Sequence, residues 1–312
     1  MIDFRYHLVS LISVFLALAV GVVLGAGPLQ NSLGTALNDQ VTSLREDRNQ
    51  TQSRLEATEA AVNERDEYIH AAADTLLPGT LEGRSVALVI LPGALGEDID
   101  AVSTMLESAG ASVVGRVSLT SAWAQTSRAT YRSTYSGSVA GYLDSASSEP
   151  NTILGQALGA ALTRTDQNAS TLTSMLTASA QGAQPLMTVD AELTRPADGV
   201  VVIGPRASQP KGGEPSPTPT EAEDPAAWSA AMAGVAATAP TVVVGSADGA
   251  GDLVAGLRTS AASVTTVDSV GQAAAGVSVP LALAGVLKGD TGHYGFDDGA
   301  DAVMPQVPRT NP

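Results

Sequence analysis

Ser85-Val86-Ala87-Leu88-Val89-Ile90-Leu91, followed at once by Pro92-Gly93-Ala94-Leu95-Gly96, carries the strongest structural signal in this chain. A continuous apolar run of that length, closed by a Pro-Gly turn, reads as a strand buried on both faces. The turn leads into Glu97 to Ala109, where Ile99, Val102, Met105 and Leu106 fall on one side of a helix. Four similar short runs follow: Ser112 to Val117, Gly199 to Ile203, Thr241 to Val244 and Ser263 to Val267. Helical patterns separate them, among them Gly249 to Leu257 with Leu253, Val254 and Leu257. The interval 121–190 reads as mostly helical, with Ile153, Leu154, Leu158 and Leu162 as one face. This alternation predicts an α/β fold over residues 80–290: an open three-layer (Rossmann/flavodoxin-like), mostly parallel sheet. Within it, 206–224 is proline-rich and polar and reads as a flexible surface loop, and 291–312 as an acidic, proline-containing tail.

Upstream of the sheet, residues 29–77 contain no proline and read as a long helix that Leu77-Pro78-Gly79 ends. Alternating steps of four and three residues join Leu37, Val41, Leu44, Arg48, Thr51, Leu55, Thr58, Val62, Arg65, Ile69, Ala72 and Leu76. That spacing keeps one stripe facing a partner helix, and charges of both signs flank it, so the segment reads as a coiled-coil stalk. Each large aliphatic side chain buried in such a seam contributes about 1.5–3 kcal/mol. Association costs about 4–15 kcal/mol, so pairing gains from two copies being tethered in one membrane. Arg48, Thr51, Thr58 and Arg65 weaken the seam and are equally compatible with a hetero-partner. A lone helix folded back on its own domain is the remaining reading.

The start of the chain is a different material. Leu8 to Gly27 runs without a charge, long enough to span a bilayer once as a helix. A cleaved signal peptide would have a shorter apolar core, and Pro28 sits badly after its best small-x-small site, Gly25-Ala26-Gly27; an uncleaved anchor over 8–27 is expected. Arg5 lies before the span and no charge follows it until Asp39, which keeps a short stretch, 1–7, in the cytoplasm and exports the rest. Pro28 is expected to kink or end the membrane helix. Ala17, Gly21 and Gly25 recur every fourth residue, a small-xxx-small face along which two membrane helices approach closely; glycine is also simply common in such helices.

Composition narrows the chemistry. Sixteen Lys and Arg against thirty-two Asp and Glu give a net charge of −16, a field that repels phosphate backbones, so nucleic acid is not an expected partner. The absence of cysteine excludes disulfides, thiolate catalysis and Cys-ligated metal centres. The turns Leu91 to Gly96 and Gly245 to Gly251 bear glycines but spell neither the dinucleotide fingerprint nor the P-loop, and read as turns. No G-x-S-x-G, H-E-x-x-H or S-x-x-K occurs, so no catalytic or cofactor-binding residue, and no cofactor, is assigned. Asp290, His293, Asp297, Asp298 and Asp301 form the one cluster with cation-binding side chains; His293 and Asp297 are weak metal candidates, with a solvated acidic tail the favoured reading. Trp123 and Trp228 read equally as packing residues or partner anchors.

The opening run Phe4-Arg5-Tyr6-His7-Leu8-Val9-Ser10-Leu11, Val14 to Ala19, Gly21 and Leu24-Gly25 resembles the mycobacterial copper transport protein B (MctB) family, which includes proteins similar to the corynebacterial septal protein SteB. The layout of anchor, polar helix, α/β domain and tail around Gly292-His293-Tyr294-Gly295 is similar too. The resemblance implies a cell-envelope protein named for copper homeostasis and outer-membrane transport, with relatives that act as septal scaffolds engaging a cell-wall hydrolase system. Copper itself is left open: Cu(I) prefers thiolate and thioether ligands, whereas the six methionines (1, 105, 175, 187, 232 and 304) stand apart in sequence. The combined expectation is a non-enzymatic membrane protein, extracytoplasmic in bulk, homodimeric through its stalk and docking an envelope protein. Copper efflux or homeostasis is the alternative.

Overall fold

The computed structural model describes residues 4–26, 28–179, 184–207, 222–260 and 262–307, with side chains throughout except at 26 and 28–36. Two units divide the chain, Met1–Arg65 and Asp66–Pro312. The first holds α1 (Phe4–Ala26) and most of α2 (Pro28–Leu76). Phe4–Gly25 is long and apolar enough to cross a membrane, with a mean hydropathy of 2.7. Ala17, Gly21 and Gly25 all lie exposed on it. Gly27, where the expected break falls, lies outside the described residues; α2 starts at Pro28, whose fixed φ and missing N–H suit a first helical position.

Along α2 the seam residues of the first unit are bare: Leu37, Val41, Leu44, Leu55 and Val62 are between 37% and 62% exposed. In the second unit the same helix is used differently. Ala73 and Leu77 are buried, and Ile69 packs against them and the domain core, so the last turns of α2 belong to the globular unit. The stop at Leu77-Pro78-Gly79 holds, with Gly79 in the left-handed region (φ 78°).

The sheet has seven strands: β1 (Ser85–Ile90), β2 (Ser112–Leu119), β3 (Met187–Ala191), β4 (Gly199–Ile203), β5 (Thr241–Val244), β6 (Thr265–Val267) and β7 (His293–Tyr294). Their order is β3-β2-β1-β4-β5-β6-β7, every pair parallel except β2 with β3. Alternate side chains of each strand feed two cores. Ala87, Val89, Val200, Val202 and Val243 join one, with Trp123 and residues of α5 (Pro150–Thr163), α6 (Gln167–Thr177) and α7 (Pro225–Thr238). Val86, Leu88, Ile90, Val201, Ile203, Val242 and Val244 join the other, with α3 (Gly96–Ser108), α9 (Ala273–Val286) and the end of α2. Helices on both faces are what near-continuous Val and Ile strands require. The remaining helices are α4 (Ala129–Ala140) and α8 (Leu253–Thr259).

All five expected strands are present, with the fifth starting at Thr265 and the second running on to Leu119. Two elements differ from expectation. The interval 121–190 closes with β3, an antiparallel edge strand whose residues beyond Met187 are exposed. The segment from 291, read as a tail, adds β7 to the opposite edge, where Thr266 pairs with His293 and Val267 with Tyr294. Most of the expected flexible loop, 208–221, lies outside the described residues. Burial of α5 is nearly complete because it meets α7 backbone to backbone. A Cβ on Gly155 would stand 1.9 Å from the Ala231 carbonyl oxygen, and one on Gly234 2.1 Å from that of Thr152.

Candidate functional site

Strand order reverses between β1 and β4, and there the connecting helices part to opposite faces: α3 leaves β1 on the side of α9, while α7 follows β4 on the side of α5. A crevice opens beyond the carboxyl ends of the strands at such a reversal. Here it is a cleft of about 290 Å³ that also takes in the turn after β5. Its apolar wall is Pro92, Pro205, Pro225, Trp228 and Leu253, and its polar groups are Arg206, Glu223, Ser246 and Asp252. The two glycine turns singled out in the sequence, Leu91 to Gly96 and Gly245 to Gly251, therefore meet at one site.

Trp228, on the first turns of α7, is half-buried and stacks on Trp123 with ring centroids 6.3 Å apart. Trp123 is fully buried and its indole N–H donates to the Leu186 carbonyl at 2.7 Å. Behind it, the buried Arg132 guanidinium donates to the carbonyls of Ala122 (3.0 Å) and Gln125 (2.7 Å) and to the Asn151 side chain (2.9 Å). Burial depresses its pKa from the ordinary arginine value. Trp123 is thus a packing residue, and Trp228 joins packing to the cleft.

The cleft's electrostatics are set by carboxylates. Arg206 Nε donates to Asp98 Oδ2 at 2.9 Å, and Nη2 to Asp98 Oδ1 at 2.7 Å and to Glu97 Oε1 at 2.5 Å. The hydrogen bonds to Asp98 raise the Arg206 pKa. Asp98 and Glu97 occupy the first turn of α3, where positive backbone partial charge favours an anion. At the other turn, Asp252 Oδ2 accepts from the Ser246 hydroxyl at 2.5 Å and from the Gly249 N–H at 3.1 Å. A phosphate binder would leave such donors for its ligand. Here the chain's own carboxylates take them, which agrees with reading the glycines as turn formers.

A second polar constellation fastens the C-terminal segment. Asp268 follows β6 with a fully buried carboxylate, which accepts from Arg258 Nη2 (2.9 Å), Ser269 Oγ (2.7 Å), Phe296 N–H (2.9 Å) and Asp297 N–H (3.0 Å). Burial pushes its pKa up; the bonds from Phe296, Asp297, Ser269 and Arg258 outweigh this and leave it below the ordinary value. Gly295 passes so close, with φ 132°, that a Cβ would lie 1.9 Å from Asp268 Oδ1. Arg258 also donates to the Tyr294 carbonyl at 2.9 Å. The weak metal candidates are part of this arrangement. His293 pairs through Nδ1 with Thr266 Oγ1 at 2.9 Å, and burial lowers its pKa. Asp297 contributes its N–H to Asp268, and burial followed by the Asp268 charge raises its own carboxyl.

Among the described residues no group of three or more His, Cys, Asp and Glu side chains is placed to hold a metal ion. Among the described residues the methionines are dispersed: Met187 and Met232 are buried in the layer of α5 and α7, Met175 packs against that layer, Met105 packs on the opposite face, and Met304 is exposed. Sequence reading missed Arg206, Asp98, Arg258 and Asp268, because the contacts that give them their roles, Arg206 with Asp98 and the Arg258–Asp268 pair with residues 294–298, join distant parts of the chain.

Residues 1–305 match the family described as copper transport outer membrane protein, MctB. The chain belongs to the MctB family. Proteins called copper transporter MctB from Mycobacterium bovis, Mycobacterium tuberculosis and Mycobacterium leprae are similar to it, each 35% identical over 120 residues. The aligned stretch is 38% of this chain and 38% of the length of each relative. With the N-terminal apolar helix, MctB membership makes association with a membrane the expected setting of the chain.

Proposed function

We propose that this MctB-family chain is a non-enzymatic scaffold of the cell envelope. Its anchor is retained, its bulk is exported, two copies pair through the stalk, and the α/β unit, of doubly wound Rossmann/flavodoxin-like type, docks an envelope protein, in some settings a septal one. The observation that carries the reading is the bare stripe Leu37, Val41, Leu44, Leu55 and Val62 on a helix that is polar on its other faces. Apolar residues at heptad spacing gain only when a second helix covers them. The pairing seam ends near Val62, because Ile69 is taken up by the globular core and Leu76 lies partly buried beside it. The small-xxx-small face Ala17, Gly21 and Gly25 supports the same pairing within the membrane.

The chain has no cysteine, so Val41→Cys and Leu55→Cys place single reporters in the stripe. In membranes the full chain is expected to form disulfide dimers at both sites and none at an exposed control such as Glu56→Cys. Absence of crosslinks at Val41 and Leu55, with a monomeric mass by light scattering in detergent, overturns the pairing.

A second reading, copper efflux or homeostasis, is favoured by the family description itself. The weak candidates are His293 and Asp297, an imidazole and a carboxylate that suit Cu(II) better than Cu(I). Sub-micromolar copper binding by calorimetry that His293→Ala abolishes supports it; a flat titration removes direct binding by this chain.

A further inference from the structure

The cleft at the β1/β4 reversal is larger than turn packing requires, and its chemistry selects a guest. Small-molecule pockets run to about 300–1,000 Å³; at about 290 Å³ this one has room for one or two side chains and too little for a dinucleotide. Four carboxylates gather at the cleft: Glu223 and Asp252 line it, and Glu97 and Asp98 bind Arg206, the guanidinium in its lining. Since Arg206 is committed to Asp98 and Glu97, an anionic guest would enter a field that is negative among the described residues, whereas a cationic one is drawn in. A bare metal ion would need an oxygen cage, but among the described residues no three His, Cys, Asp or Glu side chains are placed to form one, and three prolines, Leu253 and an indole make up much of the wall. Those surfaces suit the methylene stem of a long basic side chain, and Trp228 offers a π-face to its charged end.

We infer that this cleft is a docking site for a protein partner, receiving one arginine or lysine side chain of a peptide segment. The apolar neighbours of that side chain rest against Pro92, Pro205 and Pro225. The inference rests on the docking role proposed above and gives its partner a chemistry.

Trp123 and Trp228 are the only tryptophans and stack on each other, so intrinsic emission reports the cleft directly. The probes are the acetylated, amidated tetrapeptide Leu-Arg-Pro-Leu and its Leu-Glu-Pro-Leu counterpart, titrated into the full chain in lipid nanodiscs. A saturable change with the arginine peptide, weakened by high salt and absent with the glutamate peptide, is expected. Glu223→Gln and Asp252→Asn are each expected to raise Kd by about three- to tenfold. Glu223 is exposed, so its variant keeps the fold, and an unchanged melting curve checks Asp252→Asn. An equal response to the glutamate peptide, no saturable response at millimolar peptide, or indifference to both substitutions overturns the assignment. An envelope protein captured equally by the chain and by its Glu223→Gln/Asp252→Asn double variant leaves the docking role standing and removes the cleft from it.

Discussion

Replacing Asp268 by asparagine tests how the last strand is held. The carboxylate is wholly buried and the Arg258 side chain only 3% exposed, so the substitution leaves a guanidinium charge without a counter-charge in a dry site. Breaking a buried pair from one side costs about 3–5 kcal/mol. The asparagine amide also puts donors near the Phe296 and Asp297 N–H groups, which lose part of their bonding. In a unit of this size each kcal/mol moves Tm by about 2–4 °C, so the expected fall is about 6–20 °C. Circular dichroism melting of the full chain in detergent reads it, with Asp298→Asn as a control, since Asp298 enters the lock only through its backbone carbonyl. Gly295→Ala should destabilise by a similar amount without changing any charge, since its Cβ would overlap Asp268 Oδ1. If Asp268→Asn melts within 2 °C of the parent chain while Gly295→Ala does not, the loss of charge pairing is not what holds the segment.

Further expectations follow from the same contacts. The Asp268 pKa is depressed in the folded state, so its contribution is complete above the unfolded carboxyl value of 3.8 and is lost as pH falls through the lower folded value; urea midpoints should drop steeply below about pH 4, and less so in Asp268→Asn. His293 has the same sign over a higher range, its contribution being complete above the ordinary 6.5 and declining as pH falls through its depressed folded value; NMR titration of its ring protons should give an inflection below 6.5. Gly155→Val should cost more than the usual 1–3 kcal/mol of overpacking, because the obstacle is the Ala231 backbone and not a side chain that can turn aside; a low yield of folded protein or a Tm fall above 6 °C is the readout. Trp123→Phe keeps an aromatic ring and removes the indole donor to the Leu186 carbonyl, which retains the Thr120 N–H at 3.1 Å, and should cost about 0.5–1.5 kcal/mol by the same melting assay.

The central strands were legible in the sequence because burial on both faces demands continuous Val, Ile and Leu, as in Ser85–Ile90 and Gly199–Ile203. Edges carry no such demand. Thr188 to Ala191 in β3 face solvent, and His293-Tyr294 in β7 sit between glycines and aspartates, so neither run stands out from loop sequence. Ala273–Val286 is buried almost all round and therefore shows no helical period to find, Pro280 included. The cleft was half legible. Its glycine turns could be seen, and the missing fingerprints argued against phosphate. The partners that fill those turns could not be seen, since Arg206 reaches Asp98 across 108 positions of chain and Asp268 reaches Phe296 across 28. The heptad spacing of α2 was visible from Leu37 to Leu76, yet only the structure separates the turns that stay bare from those spent on the globular core.

That division decides where the chain can be cut. The Leu77-Pro78-Gly79 turn looks like the natural border for a recombinant head fragment, but a cut there discards Ile69, Ala73 and Leu77 from the layer that covers Val86, Leu88 and Leu106. A piece starting at Thr80 would show water a greasy trench and invite aggregation, whereas one that keeps the helix from Asp66 onward carries its own cover.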